Sequence, residues 1–320
     1  MTVLVLTRPQ DATADLVIAE LNERSVPVCR LDPRDFPEAM TVAARIGLHG
    51  ALWEGVLRGQ HRDVSLGDIR SVYYRRPGAH RLHPDMSEQD ARWAQAEAQA
   101  GFGGLLYALP ALWVNHPNRN ALAAFPPVAL AAAARSGLSV PRTLITNDPA
   151  EAREFAAALP RQVAAYKALG TTHPSDHDGR PQALWTTQVR PDEINDSVRR
   201  TAHQFQEWVD KAYEVRLTAV GHQLFAAEIY AGSDASRLDF RADYDSLTYK
   251  PCEVPERIAR GVRMLTLMFG LQYVALDFLV NPQGRWYLID VNPNGQWGFI
   301  PDLRAPITRA LADLLERAHP

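Results

Sequence analysis

The sequence predicts a chain of mixed α/β and α+β class, in which a small α/β lead domain precedes two α+β lobes. Residues 2–6, 11–24 and 27–31 read as strand, amphipathic helix and strand, and this β-α-β opening is typical of a parallel sheet covered by helices. The pattern restarts at residue 112, and two apolar runs joined by turn residues lie near the C-terminus. The predicted divisions are 1–110, 111–185 and 186–320.

The remaining elements follow from local patterns. Aliphatic and aromatic runs predict strands, helical periodicity predicts helices, and clusters of Asn, Asp, Pro or Gly predict the turns between them. The predicted strands are 70–75, 141–146, one that carries Lys167, 185–190, 204–209, 214–220, 223–230, 273–280 and 285–291. The predicted helices are 87–108, 127–136, 150–158, 192–203, 254–269 and 305–318.

The C-terminal hairpin carries the most informative polar residues of the chain. Runs 273–280 and 285–291 flank the turn sequence NPQG, and a register with Val280 opposite Arg285 would set Asp277 opposite Leu288. Strand alternation then places Asp277, Asp290 and Asn292 on one face, where two carboxylates and an amide can share magnesium. The alternative is that both carboxylates face solvent, although a lone carboxylate is costly in such apolar stretches.

Lys167 ends a predicted strand and precedes the polar, glycine-bounded segment 170–182. An ammonium group there is placed to meet phosphate oxygens, and backbone N–H groups of the following loop can fold over them as a lid. An ordinary strand-end lysine is the alternative. Only three of the 34 basic residues are lysines, which favours the phosphate interpretation.

Segment 204–209 mixes large apolar and polar residues, and it fits a strand leading into a linker whose backbone reads an adenine edge. A plain half-buried strand is the alternative. Lys211 follows after Asp210 and belongs with the predicted nucleotide contacts. Arg216 enters an apolar run, where a cation needs a carboxylate or phosphate partner.

Three further arginines are candidates for contact with an acidic substrate. Arg241, in a charged stretch, is suited to stabilising negative charge on a reacting acyl phosphate, and a solvated surface loop is the alternative. Arg75 and Arg76 follow two tyrosines at the end of a strand. They either hold an acidic substrate or close the lead domain.

Composition excludes several classes of protein. The 320 residues carry a net charge of -3, which gives no support for a nucleic-acid partner, and Cys29 and Cys252 suggest unpaired thiols of a reducing compartment. The start of the chain lacks signal-peptide features and no apolar run is long enough to span a bilayer, so we expect a cytoplasmic protein without a membrane partner. Neither a P-loop nor a GxGxxG motif is present.

The order of these residues resembles the ATP-grasp superfamily of carboxylate-activating ligases. Six segments are similar, more narrowly, to the graspetide synthetases, the ATP-grasp ribosomal peptide maturases that make microviridin-type macrocycles. These segments are YYRRP at 73–77, WVNHP at 113–117, GLSVPRTLITND at 137–148, YKALG at 166–170, DFRADYD at 239–245 and DVNPNGQWGFI at 290–300. The resemblance covers nearly the whole chain and implies an ATP-grasp fold behind a pre-ATP-grasp domain.

The resemblance also implies roles for the candidate residues. Lys167 would contact ATP phosphates, and Asp277, Asp290 and Asn292 would ligate Mg²⁺. Arg216 and Arg241 would steady the reacting groups. The residues expected to surround the adenine are Gln206, Glu207, Trp208 and Val209.

The implied activity converts an Asp or Glu side chain of a ribosomal precursor peptide to an acyl phosphate, which Ser or Thr then closes to an ester, or Lys to an amide. The expected partner is that peptide, with leader and core, and a homodimer is left open. The family often places a phosphate-binding lysine before the helix that begins near Pro127, whereas this chain has Pro126 there. Another ATP-grasp ligase acting on a small molecule, or a catalytically weak peptide-binding module, are the alternatives.

Overall fold

The computed structural model describes residues 1–47, 50–60, 62–170, 185–239 and 243–317. The strands are Thr2–Leu6 (β1), Val28–Leu31 (β2), Thr41–Arg45 (β3), Glu54–Arg58 (β4), Asp63–Ser65 (β5), Ile69–Tyr74 (β6), Leu112–Val114 (β7), Thr143–Thr146 (β8), Ala164–Lys167 (β9), Thr187–Val189 (β10), His203–Glu207 (β11), Tyr213–Val220 (β12), Gln223–Tyr230 (β13), Thr248–Cys252 (β14), Tyr273–Val280 (β15) and Trp286–Asn292 (β16). The helices are Ala12–Glu23 (α1), Glu88–Ala98 (α2), Gly104–Tyr107 (α3), Pro117–Ala123 (α4), Pro126–Arg135 (α5), Pro149–Ala157 (α6), Asp234–Leu238 (α7), Glu256–Phe269 (α8) and Pro301–Glu316 (α9).

The lead domain is built on a parallel sheet in the order β2-β1-β6-β7. Strand β1 is buried on both faces: Val3 and Val5 pack towards α1 and α9, whereas Leu4 and Leu6 belong to a separate core with α3 and the residues before it. Asp11 caps α1 by accepting a hydrogen bond from the Ala14 amide. The β-α-β opening is confirmed, and because β7 joins this sheet, the first sheet extends beyond residue 110.

Two local predictions are wrong or incomplete. Segment 192–203 is not one helix: Pro191–Glu193 and Asp196–Arg200 are short 3-10 turns. The Asn195 side chain accepts from the Ser197 amide, and such local bonds compete with helical ones. The small antiparallel sheet β3-β4-β5 was not predicted, since Leu57 and Val64 are its only buried large apolar side chains among the described residues.

Two antiparallel sheets make up the lobes. The smaller one, in the order β10-β9-β11-β8, packs against α6 around a core of seven buried residues. The larger one, in the order β14-β13-β12-β15-β16, packs one face on α5 and α8 and the other partly on α9. Alternation along β12 and β15 leaves a polar row on that second face: Glu214, Arg216 and Asp277.

The end of the chain returns to its beginning. Helix α9 starts four residues before the predicted 305 and packs along α1. Arg24 at the end of α1 bonds Asp313 at 2.6 Å and Glu316 at 3.0 Å on α9. No helix of the described residues is long and apolar enough to cross a bilayer.

Candidate functional site

A cavity of about 360 Å³ opens between the four-stranded sheet of the lobes, β10-β9-β11-β8, and the five-stranded sheet. Nine of the residues predicted from the sequence to bind nucleotide or metal line it: Lys167, Gln206, Glu207, Trp208, Val209, Lys211, Asp277, Asp290 and Asn292. Pro126 and Ala124 line it as well, where the resemblance implies a lysine. Arg241 and segment 171–182 lie outside the described residues, so the predicted lid does as well.

The hairpin β15–β16 is confirmed, but its predicted register is wrong. Val280 pairs with Trp286 and not with the predicted Arg285, which shifts the register by one residue. A bulge between Asp277 and Phe278 then leaves Ile289 as an extra residue, so Asp277 lies opposite Asp290 and not opposite Leu288. Asn292 lies opposite Ala275 on the same face. The two carboxylates therefore are direct cross-strand neighbours, which on one face sit closer than a diagonal pair.

Hydrogen bonds and charge fix the hairpin side chains. Asn292 Nδ2 donates to Asp290 Oδ2 at 2.7 Å. Arg216 Nη1 lies 2.9 Å from Asp277 Oδ1 and 3.0 Å from Oδ2, and both residues are 6% exposed. The Arg216 guanidinium also lies 5.4 Å from the centre of the Phe299 ring. The predicted need of Arg216 for a carboxylate partner is thus met by Asp277.

The donor set fits magnesium held jointly by protein and phosphate. It comprises two carboxylates and one carboxamide, all hard oxygen donors lining one cavity. Among the described residues no group of three or more His, Cys, Asp or Glu forms a metal site. Magnesium commonly takes one or two protein carboxylates and completes its shell with substrate phosphates and water, which suits this smaller set.

A chain of hydrogen bonds holds Lys167 over the cavity. Its Nζ donates to Gln206 Oε1 at 2.9 Å, Gln206 Nε2 donates to Thr143 Oγ1 at 2.9 Å, and Thr143 Oγ1 donates to the Pro141 carbonyl at 3.0 Å. Gln206 is 1% exposed, so the lysine rests on a rigid partner. The compact ammonium is thereby directed at the space between the sheets.

The end of the cavity away from Lys167 is lined by the residues that follow strand β11. Glu207 donates its amide to the Arg142 carbonyl at 2.8 Å and accepts from Arg142 Nε at 3.0 Å, which turns its side chain towards that arginine. The backbone at Trp208 and Val209 continues beyond the ladder along the cavity. Lys211 Nζ donates to Glu214 Oε1 at 2.5 Å.

Four polar residues that line the cavity were not among the predicted site residues: Thr186, Gln204, Glu214 and Asp239. Burial raises the pKa of Glu214 above its ordinary 4.5, against the opposing effect of Lys211. Strand alternation alone would have found it, since Glu214 lies two residues before Arg216 on one strand face. Asp239 accepts from the Thr186 amide at 3.3 Å and gives no comparable signal in the sequence.

The structure does not place Arg75 in the cavity lining. Arg75 is 1% exposed, and its guanidinium donates to Asn294 Oδ1 at 2.9 Å and to Gln296 Oε1 and Thr13 Oγ1 at 3.2 Å. It therefore ties the lead domain to the segment that follows the hairpin β15–β16. Arg76 is only half-buried, and burial together with the neighbouring Arg75 charge lowers its pKa. Substrate contact by either arginine stays a prediction.

Asn115, directly after β7, ties the same hairpin from its other side. Its Nδ2 donates to the carbonyls of Tyr273 at 2.7 Å and Pro293 at 2.9 Å, and its Oδ1 accepts from the amides of Gln272 and Tyr273. One buried carboxamide thus joins the first residue of β15 to the residue after β16. We call Arg75 and Asn115 together the hairpin clamp.

Comparisons with known proteins agree with this geometry. The MvdD pre-ATP grasp domain family matches residues 2–121. A Chryseobacterium gregarium RiPP-associated ATP-grasp ligase, solved in complex with ADP and a leader and core peptide, is similar over 100% of this chain and 97% of its own, with 25% identity and a TM-score of 0.90. No protein of curated function matches the chain by sequence.

Two macrocyclases of Microcystis aeruginosa MRC are similar as well. MdnC, solved with precursor peptide MdnA, shares 24% identity over 100% of both chains with a TM-score of 0.86. MdnB shares 26% identity over 98% of both chains with a TM-score of 0.77. The expected ATP-grasp fold is confirmed. Residues 2–121 thus match a pre-ATP-grasp domain family, and over its whole length the chain is similar to a RiPP-associated ATP-grasp ligase and to two macrocyclases.

Proposed function

We propose that this ligase activates Asp or Glu side chains of a ribosomal precursor peptide as acyl phosphates and closes them onto Ser or Thr as esters, or onto Lys as amides, within the same peptide. One observation carries the proposal. In a chain that resembles peptide maturases throughout, Lys167 and the carboxylates of Asp277 and Asp290 line one cavity between two sheets. That arrangement suits a nucleotide triphosphate whose phosphates lie between a cation and a metal.

Each wall of the cavity has a proposed task. Lys167 binds phosphate oxygens, and Asp277, Asp290 and Asn292 hold Mg²⁺. Magnesium, when bound, neutralises phosphate charge and so favours nucleophilic attack on the γ-phosphate. The nucleoside lies against the segment Gln206, Glu207, Trp208 and Val209, with Lys211 and Glu214 beside it. A buried carboxylate such as Glu214 is suited to accept hydrogen bonds from sugar hydroxyls.

The proposed chemistry has two balanced steps. A peptide carboxylate oxygen attacks the γ-phosphorus, the bond to the β-phosphate oxygen breaks, and ADP leaves with that electron pair. A hydroxyl or amine of the peptide then attacks the acyl carbon, loses its proton, and displaces inorganic phosphate. Arg216 is placed to support this chemistry by fixing the Asp277 carboxylate at 2.9 Å, and Arg241 remains the proposed stabiliser of the acyl phosphate.

The peptide partner is supported by two of the similar structures, which were solved with precursor or leader and core peptides. ADP is bound in one of them, which supports ATP as the phosphate donor. The acidic residues of such a peptide are the groups to be activated. Arg75 and Arg76 are the proposed contacts for them, and the half-buried Arg76 is the more accessible of the two.

Mass spectrometry tests the proposal. The purified protein, with ATP, Mg²⁺ and the short peptide encoded beside its gene, should give a product lighter by one water per link. Lys167→Met should abolish the mass loss, whereas Lys250→Met, which alters an exposed lysine on β14, should not. An unchanged peptide mass at saturating ATP would contradict the proposal. Leader-independent ligation of a small carboxylate would select a small-molecule ligase, and nucleotide binding without ADP formation would select a binding module.

A further inference from the structure

Arg216 is a buried cation whose side chain is held on two sides. Its Nη1 atom lies 2.9 Å and 3.0 Å from the two carboxylate oxygens of Asp277, and its guanidinium carbon lies 5.4 Å from the centre of the Phe299 ring. A cation within about 6 Å of a ring centre is attracted by the negative ring face, and more strongly where water is excluded. Because Arg216 is only 6% exposed, the ring also fixes its guanidinium.

Phe299 is itself held firmly. In the chain it lies between Trp297 and Ile300, which are each 1% exposed and belong to the core shared with α1 and α9. Two tyrosine rings make T-shaped contacts with the Phe299 ring. The ring centre of Tyr249, on β14, lies 5.9 Å away, and that of Tyr244 lies 6.1 Å away. Buried neighbours in the chain and two flanking rings therefore keep the Phe299 ring over the cation.

The path of the chain explains why this contact bears on the site. Residues 293–300 follow strand β16 directly, and β16 carries the proposed metal ligands Asp290 and Asn292. Within this segment Gly298 approaches the lead domain so closely that an added Cβ atom would lie 2.8 Å from Thr13 Cγ2. The segment that leaves the proposed metal ligands thus runs against the lead domain and places the Phe299 ring over the Arg216 guanidinium.

We propose that Phe299 is a positioning residue, whose ring face holds the Arg216 guanidinium against Asp277 and thereby keeps that carboxylate in place for magnesium. This inference rests on the proposed function. A ring attracts the cation without the full charge of a second carboxylate, so it leaves the Arg216–Asp277 pair intact. A leucine side chain would fill part of the same space but would not attract the charge.

Stepwise fluorination tests the role of the ring face. Phenylalanine analogues with one, two and three ring fluorines at position 299 change the shape little, but each fluorine weakens the negative potential of the ring face. The magnesium concentration for half-maximal ADP binding, measured by calorimetry, should rise with each fluorine, and about tenfold in Phe299→Leu, whereas adenosine binding should not change. Phe299→Tyr, which keeps the ring face, should stay within about twofold of the wild type.

Phe225, which is half-buried on β13 against the same core, provides the matched control. The same fluorinated analogues at position 225 should leave both the magnesium requirement and adenosine binding unchanged. A magnesium requirement that stays constant along the series at position 299 would show that the Phe299 ring only fills space, and would overturn the inference.

A double-mutant cycle in protein free of metal and nucleotide gives an independent readout. In urea denaturation, Phe299→Leu should raise the unfolding equilibrium constant about tenfold more in the wild-type background than in an Arg216→Met background, where the cation is absent. Equal effects in the two backgrounds would overturn the inference. An unchanged peptide mass in the mass-spectrometric test would instead contradict peptide modification alone, because binding of ADP with magnesium requires no peptide.

Discussion

The two walls of the cavity are built differently. The five-stranded wall, which carries Asp277, Asp290 and Asn292, packs against large cores on both faces, and the hairpin clamp of Arg75 and Asn115 holds its ends. The other wall, the sheet β10-β9-β11-β8, packs on a core of seven buried residues. Its polar groups are linked through Lys167, Gln206 and Thr143, whereas the Gln204 Oε1 atom has no hydrogen-bond partner among the described residues.

The two walls differ in whether their buried polar groups already have protein partners in the absence of a ligand. On the five-stranded wall, the carboxylate of Asp277 already has Arg216 as its partner, and the backbone at the hairpin base is bonded to the clamp. On the opposite wall, formed by β10-β9-β11-β8, the buried Gln204 Oε1 atom has no hydrogen-bond partner among the described residues. We infer that the five-stranded wall is preorganised by the fold, as the proposed placement of a phosphoryl group requires.

Among variants that disturb the five-stranded wall, we expect the largest loss of stability and activity at Asp277. Asp277→Asn removes a proposed metal ligand and the buried carboxylate that pairs with Arg216. We expect about 3 kcal/mol less free energy of unfolding, and a rate of peptide modification at least about a hundredfold lower. Urea denaturation and timed mass spectrometry measure the two effects.

A matched variant is available in an exposed ion pair. Arg58 and Asp63 lie 3.8 Å apart and both are more than half exposed, so Asp63→Asn should cost no more than about 1 kcal/mol and leave activity intact. Similar losses of stability in the two variants would show that burial of the Arg216–Asp277 pair does not matter.

The second effect is expected at the hairpin clamp. Asn115→Leu leaves the amide and carbonyl of Tyr273 and the carbonyl of Pro293 without their partner, and should lower the free energy of unfolding by about 2 kcal/mol. Because the ends of the hairpin β15–β16 would then be less rigidly held, its proposed metal ligands should bind magnesium more weakly. The magnesium concentration for half-maximal ADP binding should therefore rise, whereas adenosine binding should not change.

Asn118→Leu, at an exposed asparagine of the neighbouring helix α4, is the control for Asn115→Leu and should alter neither quantity. If Asn115→Leu lowered the free energy of unfolding but left the magnesium concentration for half-maximal ADP binding unchanged, the clamp would stabilise the fold without influencing the proposed metal ligands.

The smallest effect is expected at Glu214. Burial raises the pKa of Glu214 in the folded state above the ordinary 4.5, so this side chain loses its proton at a lower pH in the unfolded chain than in the folded protein. The free energy of unfolding therefore decreases as the pH rises from about 4.5 through the folded-state pKa. Glu214→Gln should therefore be more stable than the wild type at pH 7, by about 1 kcal/mol or less, with the gain vanishing below pH 4.5.

Denaturation curves across this pH range measure that gain, with Glu253→Gln at an exposed glutamate as the control. The same Glu214→Gln variant should bind adenosine more weakly if the carboxylate accepts from the sugar. A gain in stability that grows as the pH falls would contradict the direction of the pKa shift.

Much of the architecture was accessible from the sequence. The β-α-β opening, the helix capped by Asp148 and the C-terminal hairpin all depend on local patterns, such as buried aliphatic runs and turn residues, that tertiary contacts do not reverse. The short sheet β3-β4-β5 and the 3-10 turns around Asn195 were missed, because three to five residues with few buried side chains carry little periodicity.

By itself, the sequence determined which residue types meet in the site: a lysine at the end of a strand, and two carboxylates and an amide on one hairpin. Only the tertiary structure decided how they meet. Within the hairpin, the pairing of Val280 with Trp286 and the bulge together set Asp277 opposite Asp290. The burial of Arg75 against Asn294 and the side-chain oxygen of Gln204, which has no hydrogen-bond partner among the described residues, involve segments far apart in the chain. Local patterns report which face a side chain takes, whereas register, clamping and satisfaction of buried polar groups depend on partners that only folding brings together.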